Sequence, residues 1–222
     1  MSTSCFLPEL ANELANDLLA INGIKLSPDQ PFKWASGWNS PIYCDNRISL
    51  SFPAVRKKIT NAFCAFVESK LPDIDVIAGV ATAGIPQAAI VAHELGLPMV
   101  YVRPQPKSHG LKSQIEGFFT EGQKIILIED LISTGNSSLK AVQALRENAG
   151  IIDHILSIFT YDFDNSDQLL SKNGIDLVYL SNYSYLLEVA LKKAIIDKET
   201  LMLLKKWRKN PATWFRESQL GN

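Results

Sequence analysis

Hydrophobic positions along this chain fall into two rhythms, short aliphatic runs and stripes at helical spacing. Leu10, Leu14, Leu18 and Ile21 share one helical face, so residues 9–21 predict an amphipathic helix ending near Gly23. Residues 24–26 and 32–35 predict short strands, with a turn-rich stretch from Ser36 to Pro41 leading into Ile42 and Tyr43. Val55, Ile59, Ala62, Phe63 and Phe66 mark the buried stripe of a second helix, predicted to be capped by Ser51 and to run through Lys70. Pro53 suits its first turn. Residues 76–81, 99–102, 125–128, 151–161 and 175–180 are aliphatic runs that predict strands buried on both faces. Helical patterns begin at Ile85 and span residues 138–148, 183–194 and 197–209. Strands alternating with helices imply an α/β fold, with a mainly parallel central sheet flanked by helices.

The run Ile125–Ile128 is followed by adjacent carboxylates, Glu129 and Asp130, expected where the strand leaves the sheet. Leu131 and Ile132 follow, then a turn of small residues, Ser133, Thr134, Gly135, Asn136 and Ser137, and then a helix. Such a turn and helix start offer unpaired N–H groups to a phosphate, and the carboxylates accept hydrogen bonds from sugar hydroxyls. An ordinary strand–helix unit explains the aliphatic run, but not two carboxylates directly before a Ser/Thr/Gly turn. Thr82, Ala83 and Gly84 form a second small-residue turn after the strand at 76–81, suited either to pyrophosphate or to close helix–strand packing. Gly79 and Gly84 are spaced as in a nucleotide-binding P-loop, but Ile85 stands where that motif needs Lys, and no G-x-G-x-x-G occurs.

Charge sharpens this picture. With 22 Lys and Arg against 23 Asp and Glu, the net charge is −1, so no global basic field argues for nucleic acid. An anionic substrate therefore needs local cations. The irregular, mobile loop expected at residues 103–117 supplies them in Arg103, Lys107, His109 and Lys112. Near the N-terminus Trp34, Trp38, Tyr43 and Arg47 cluster in sequence, as aromatic core or as stacking surfaces and a cation for a planar anionic ring. Cys5, Cys44 and Cys64 form neither a disulfide framework nor a zinc pattern and suit a reducing cytosol. No signal peptide or membrane-spanning window is read. The 222 residues predict one domain.

The acid pair with its Ser-Thr-Gly turn resembles the 5-phosphoribosyl-1-diphosphate (PRPP) motif of the type I phosphoribosyltransferases. Two further signatures resemble the orotate-specific family among them: Trp34-Ala35-Ser36-Gly37 through Ser40-Pro41-Ile42-Tyr43, and the loop residues Arg103, Lys107, Ser108, His109 and Gly110. The chain departs from many members at Ala35 and Pro104, where Lys is usual, and at Asn136, where Gly is usual; Asn tolerates the left-handed backbone that glycine serves. It also lacks an Arg near Tyr161 that in some members binds the orotate carboxylate.

The resemblance implies transfer of phosphoribose from PRPP to orotate, giving orotidine 5′-monophosphate and pyrophosphate in pyrimidine biosynthesis. It further implies a small N-terminal hood, residues 1–50, that contributes to base binding, and a cytoplasmic homodimer whose catalytic loop serves the neighbouring site. Mg²⁺ would be held through substrate and water near Glu129 and Asp130, with no direct protein ligand. Arg103, Lys107 and His109 would clamp the leaving diphosphate, with Thr82 to Gly84 receiving it. Glu129 through Ser137 would bind PRPP, and Ser133, Tyr43 and Arg47 would meet orotate. A phosphoribosyltransferase for another base, or a PRPP-sensing regulator with the same fold, are the competing readings; the regulator would be expected to show a basic face or a DNA-binding motif.

Overall fold

The computed structural model describes residues 3–34, 37–105 and 114–214. The chain opens with β1 (Thr3–Cys5) and α1 (Pro8–Ala20), then four short strands, β2 (Ile24–Leu26), β3 (Phe32–Lys33), β4 (Asn39–Ser40) and β5 (Ile42–Cys44). A 3-10 helix (Asn46–Ser51) leads into α2 (Pro53–Lys70). The alternating part follows: β6 (Val76–Val80), α3 (Gly84–Leu95), β7 (Met99–Val102), β8 (Ile115–Glu116), β9 (Lys124–Ile132), α4 (Asn136–Glu147) and β10 (Ile151–Thr160). It closes with α5 (Asp164–Lys172), β11 (Asp176–Asn182), α6 (Tyr183–Lys192) and α7 (Lys198–Lys209).

Seven strands form one sheet in the order β1-β11-β10-β9-β6-β7-β8. All neighbours are parallel except β8, which returns antiparallel along β7. From β6 the chain winds outward through α3 to β7, and from β9 it winds the other way through α4 to β10. The boundary between β6 and β9 is therefore a topological switch point, where the carboxyl ends of strands leave a crevice for ligands.

The aliphatic runs account for this sheet. Ile126, Leu127 and Ile128 are wholly buried, and burial of each such side chain stabilises by roughly 1.5–3 kcal/mol. Even-numbered Ile126 and Ile128 join the core beneath α1, α2, α3, α6 and α7, whereas Ile125 and Leu127 join the core beneath α4 and α5. Both faces are thus covered, which is why the strand reads as a continuous apolar run.

Several expectations shift. Ser51 ends the 3-10 helix instead of capping α2; Phe52 occupies the cap position with no side-chain bond, and Pro53 starts the helix. β9 runs through Ile132, with Glu129 paired to Ser157 and Leu131 to Phe159 of β10, so both carboxylates lie inside the strand. Neither β1 nor α5 was expected from the sequence; three residues of β1 gain definition only by pairing with β11.

Candidate active site

Glu129 and Asp130 are consecutive near the carboxyl end of β9, with their side chains within hydrogen-bonding reach of each other. Glu129 points toward α4, where Ser138 donates to it at 3.2 Å; it is only 6% exposed. Asp130 is half-buried on the side of the N-terminal strands, and its backbone oxygen accepts from Asn46 Nδ2 at 2.6 Å. Burial pushes both carboxyls above their ordinary range, and the charge of Asp130 adds to the rise at Glu129. Arg47 works against that rise at Asp130.

Beyond Ile132, itself core at 1% exposed, Ser133 and Thr134 turn the chain. The left-handed residue is Gly135, at φ 78°, and Asn136 is already helical, with Nδ2 donating to Thr134 Oγ1 at 3.1 Å. The expectation that Asn136 substitutes for a left-handed glycine is therefore corrected. Ser137 lies exposed in the first turn of α4. Thr82, Ala83 and Gly84 lead into α3 at the neighbouring strand end, and the Ala81–Thr82 peptide bond is cis. Neither α3 nor α4 begins with a side-chain cap, which leaves first-turn backbone N–H groups at these two strand ends suited to an anion. Close packing accounts for the glycines themselves: a Cβ on Gly84 would lie 2.5 Å from the Ile128 oxygen, and one on Gly79 would lie 3.0 Å from Ala88 Cβ.

Beside the turn lies a cavity of about 290 Å³ lined by Lys33, Trp34, Tyr43, Cys44, Leu131, Ser133 and Tyr161. Trp34 and Tyr161 meet with ring centroids 5.0 Å apart, and Trp34 Nε1 donates to the Ile42 oxygen at 3.2 Å. Burial, with Asp130 and Asp45 adding to it, pushes the Cys44 thiol well up, so it serves as a neutral wall. Ser133 belongs both to this cavity and to the turn.

Arg47 is placed differently from expectation: Asp45 binds its guanidinium at 2.6 and 2.8 Å, and the cation on the cavity wall is Lys33. The hydrogen bond from Arg47 holds the Asp45 carboxyl below its usual range. Sequence reasoning missed Lys33 and Tyr161. The available signal was the alternation of Phe32-Lys33-Trp34; Lys33 and Trp34 both line the one cavity.

At the far side of the crevice Arg103 follows β7. Its N–H donates to the Gln114 oxygen at 2.8 Å, Gln114 Nε2 returns a bond to the Arg103 oxygen at 2.7 Å, and its guanidinium lies 3.5 Å from Glu116. These contacts tie the two roots of the cationic loop together. Lys107 and His109 lie outside the described residues, as do Ala35 and Ser36. A smaller cavity of about 120 Å³ lies between Trp38, Thr134, Phe163 and the Arg208-Lys209 end of α7.

Comparison with known proteins agrees with this geometry. The phosphoribosyl transferase domain family matches residues 53–165, from α2 through the strand–acid pair–turn–helix unit to the start of α5. The orotate phosphoribosyltransferase of Cytophaga hutchinsonii is 51% identical over 202 residues, 91% of this chain and 97% of the relative. That of Listeria innocua is 50% identical over 205 residues, 92% of this chain and 98% of the relative. Among solved structures, orotate phosphoribosyltransferase from Aeropyrum pernix superposes with a TM-score of 0.72 at 27% identity, covering 83% of this chain and 99% of that one. Identity of this degree over more than nine-tenths of the chain extends beyond the phosphoribosyl transferase domain match, and it shows that the chain belongs to the orotate phosphoribosyltransferase family.

Proposed function

We propose that the protein transfers the 5-phosphoribosyl group of PRPP to a ring nitrogen of orotate, releasing pyrophosphate. The observation that carries this reading is the double membership of Ser133. It opens the small-residue turn at the switch point and also lines the aromatic cavity, so a sugar phosphate and a planar base would meet there. The carbon–oxygen bond from ribose C1 to diphosphate breaks as the nitrogen–C1 bond forms, through an oxocarbenium-like transition state, without an enzyme nucleophile.

In this assignment Ser133 to Ser137 take the 5′-phosphate through backbone N–H and hydroxyl groups. Asp130, the more accessible carboxylate, accepts from a ribose hydroxyl, and Glu129 supports the site from beneath, held by Ser138. Tyr43, Trp34 and Tyr161 flank the base, and Lys33 meets its carboxylate. Thr82 to Gly84 receive the diphosphate, which Arg103, Lys107 and His109 clamp as its charge grows. Closure of the loop carrying these cations excludes water that would otherwise hydrolyse PRPP.

Two adjacent carboxyls, the charge of Asp130 raising the proton affinity of Glu129, suit a nearby divalent cation, which would relieve that repulsion. Mg²⁺ would be held beside them through PRPP oxygens and water, with no direct protein ligand. Mg²⁺ bound in this way would supply charge neutralisation for the departing diphosphate. The homodimer belongs to the same reading: the loop springs from the β7–β8 edge, where it could reach a neighbouring subunit. Cys5, Cys44 and Cys64 are all free thiols, which supports a reducing, cytoplasmic setting. Among the described residues no helix is long and apolar enough to cross a membrane.

The test offers orotate, uracil, adenine and hypoxanthine separately with PRPP and Mg²⁺ and identifies products by mass. Orotidine 5′-monophosphate from orotate alone is expected; a purine nucleotide, or no nucleotide, would overturn the proposal.

A further inference from the structure

The walls of the base cavity come from two separate parts of the chain, which meet through the Trp34–Tyr161 ring contact at 5.0 Å. Trp34 follows β3, which pairs with β4 through only two residue pairs, Phe32–Ser40 and Lys33–Asn39. A two-stranded ribbon of that length is marginal in water, so tertiary contacts must set its position. Tyr161 comes from a different place, just past the end of β10.

Both walls are met from behind by one side chain, Trp207 of α7. Its indole is fully buried and lies edge-on to both rings, at 5.8 Å from Trp34 and 5.9 Å from Tyr161. Its Nε1 donates to the Asn39 backbone oxygen at 3.3 Å, reaching across 168 positions of sequence to the strand opposite Lys33. The next residue, Arg208, donates to Asp162 at 2.9 Å and to Ser184 at 3.3 Å. One turn back, the Leu204 oxygen accepts from Tyr183 at 3.1 Å. α7 is thus anchored to the ends of β10 and β11, and through Trp207 to the N-terminal ribbon. It lies outside residues 53–165, where the phosphoribosyl transferase domain family matches.

We propose that Trp207 is a positioning residue for the base: α7 holds Trp34, Lys33 and Tyr161 in register, so affinity for orotate depends on the C-terminal helix while affinity for PRPP does not. This rests on the reading of the aromatic cavity as the base site. A residue that served only the core would lower stability without separating the two substrates. Trp207 touches the base walls and the Asn39 carbonyl, whereas the phosphate turn is built by β9 and α4.

Trp207→Phe keeps an aromatic ring and removes the N–H donor; Trp207→Leu removes the ring contacts as well. Leu145→Ala, in the core on the opposite face, serves as a control for general destabilisation. Steady-state KM for each substrate and the melting temperature are measured for every variant. Trp207→Phe is expected to raise the orotate KM about three- to tenfold and leave the PRPP KM within about twofold, the range for one lost hydrogen bond. Leu145→Ala should lower the melting temperature without that split. Equal rises in both KM values, or a loss of stability with neither KM changed, would overturn the positioning role. Lys33→Ala separates this failure from that of the base site. If it raises the orotate KM while Trp207→Phe does not, only the positioning role falls; if neither does, the base-site reading falls too.

Discussion

Glu129 and Asp130 are neighbours in sequence, yet the strand that carries them gives each a different task. The buried Glu129 keeps its proton more readily when folded than when unfolded, because burial and the adjacent Asp130 both disfavour its charge. A carboxyl raised in this way binds more protons in the folded state, so stability falls as pH rises from its ordinary value of 4.5 toward the folded value. Glu129→Gln is therefore expected to raise the melting temperature at pH 7–8. The gain should vanish below pH 4.5, and the PRPP KM should rise. Melting curves across pH check it; a variant less stable than wild type at neutral pH would contradict the assignment. Lys33 offers a second test at this scale. Lys33→Ala is expected to raise the orotate KM by about tenfold, with little effect on the PRPP KM, as for loss of a charge-assisted contact.

At the scale of elements, the site depends on how closely α3 approaches β9. A methyl on Gly84 would sit 2.5 Å from a backbone oxygen that cannot swing aside, so Gly84→Ala is expected to cost about 1–3 kcal/mol, read as a melting temperature lower by several degrees. An unchanged melting temperature would mean that the helix can slide. The same packing bears on what the sequence disclosed. The alternation of strands and helices and the small-residue turn opening at Ser133 were legible because each rests on local pattern: aliphatic runs, small-residue turns and helical stripes; the turn is shorter than expected, α4 starting at Asn136. What escaped were features set by distant partners. β9 extends past its acid pair because β10 continues beside it, with Ser157 and Phe159 supplying the ladder. Arg47 is a local case, paired with Asp45 two residues away, whereas Lys33 reaches the cavity on the β3–β4 ribbon, which Trp207 meets at Asn39. No local signal marks Trp207.

Across the whole molecule, two half-sites and a cationic loop must act together. Lys107→Ala is expected to cut turnover far more than it weakens orotate binding; an equal loss of both, or none, would remove the clamp. If the loop serves a neighbouring subunit, mixing Lys107→Ala with Asp130→Asn subunits should restore about a quarter of wild-type activity, because half of randomly paired dimers would carry one intact site. No gain on mixing would contradict a shared loop. The central claim is that orotate is consumed only by transfer from PRPP, and the loss of orotate absorbance tests it most directly. A steady decline requiring enzyme, PRPP and Mg²⁺ together, and stopping when PRPP is exhausted, is the predicted result. Absorbance that stays constant with all components present, or that falls equally without PRPP, would contradict it.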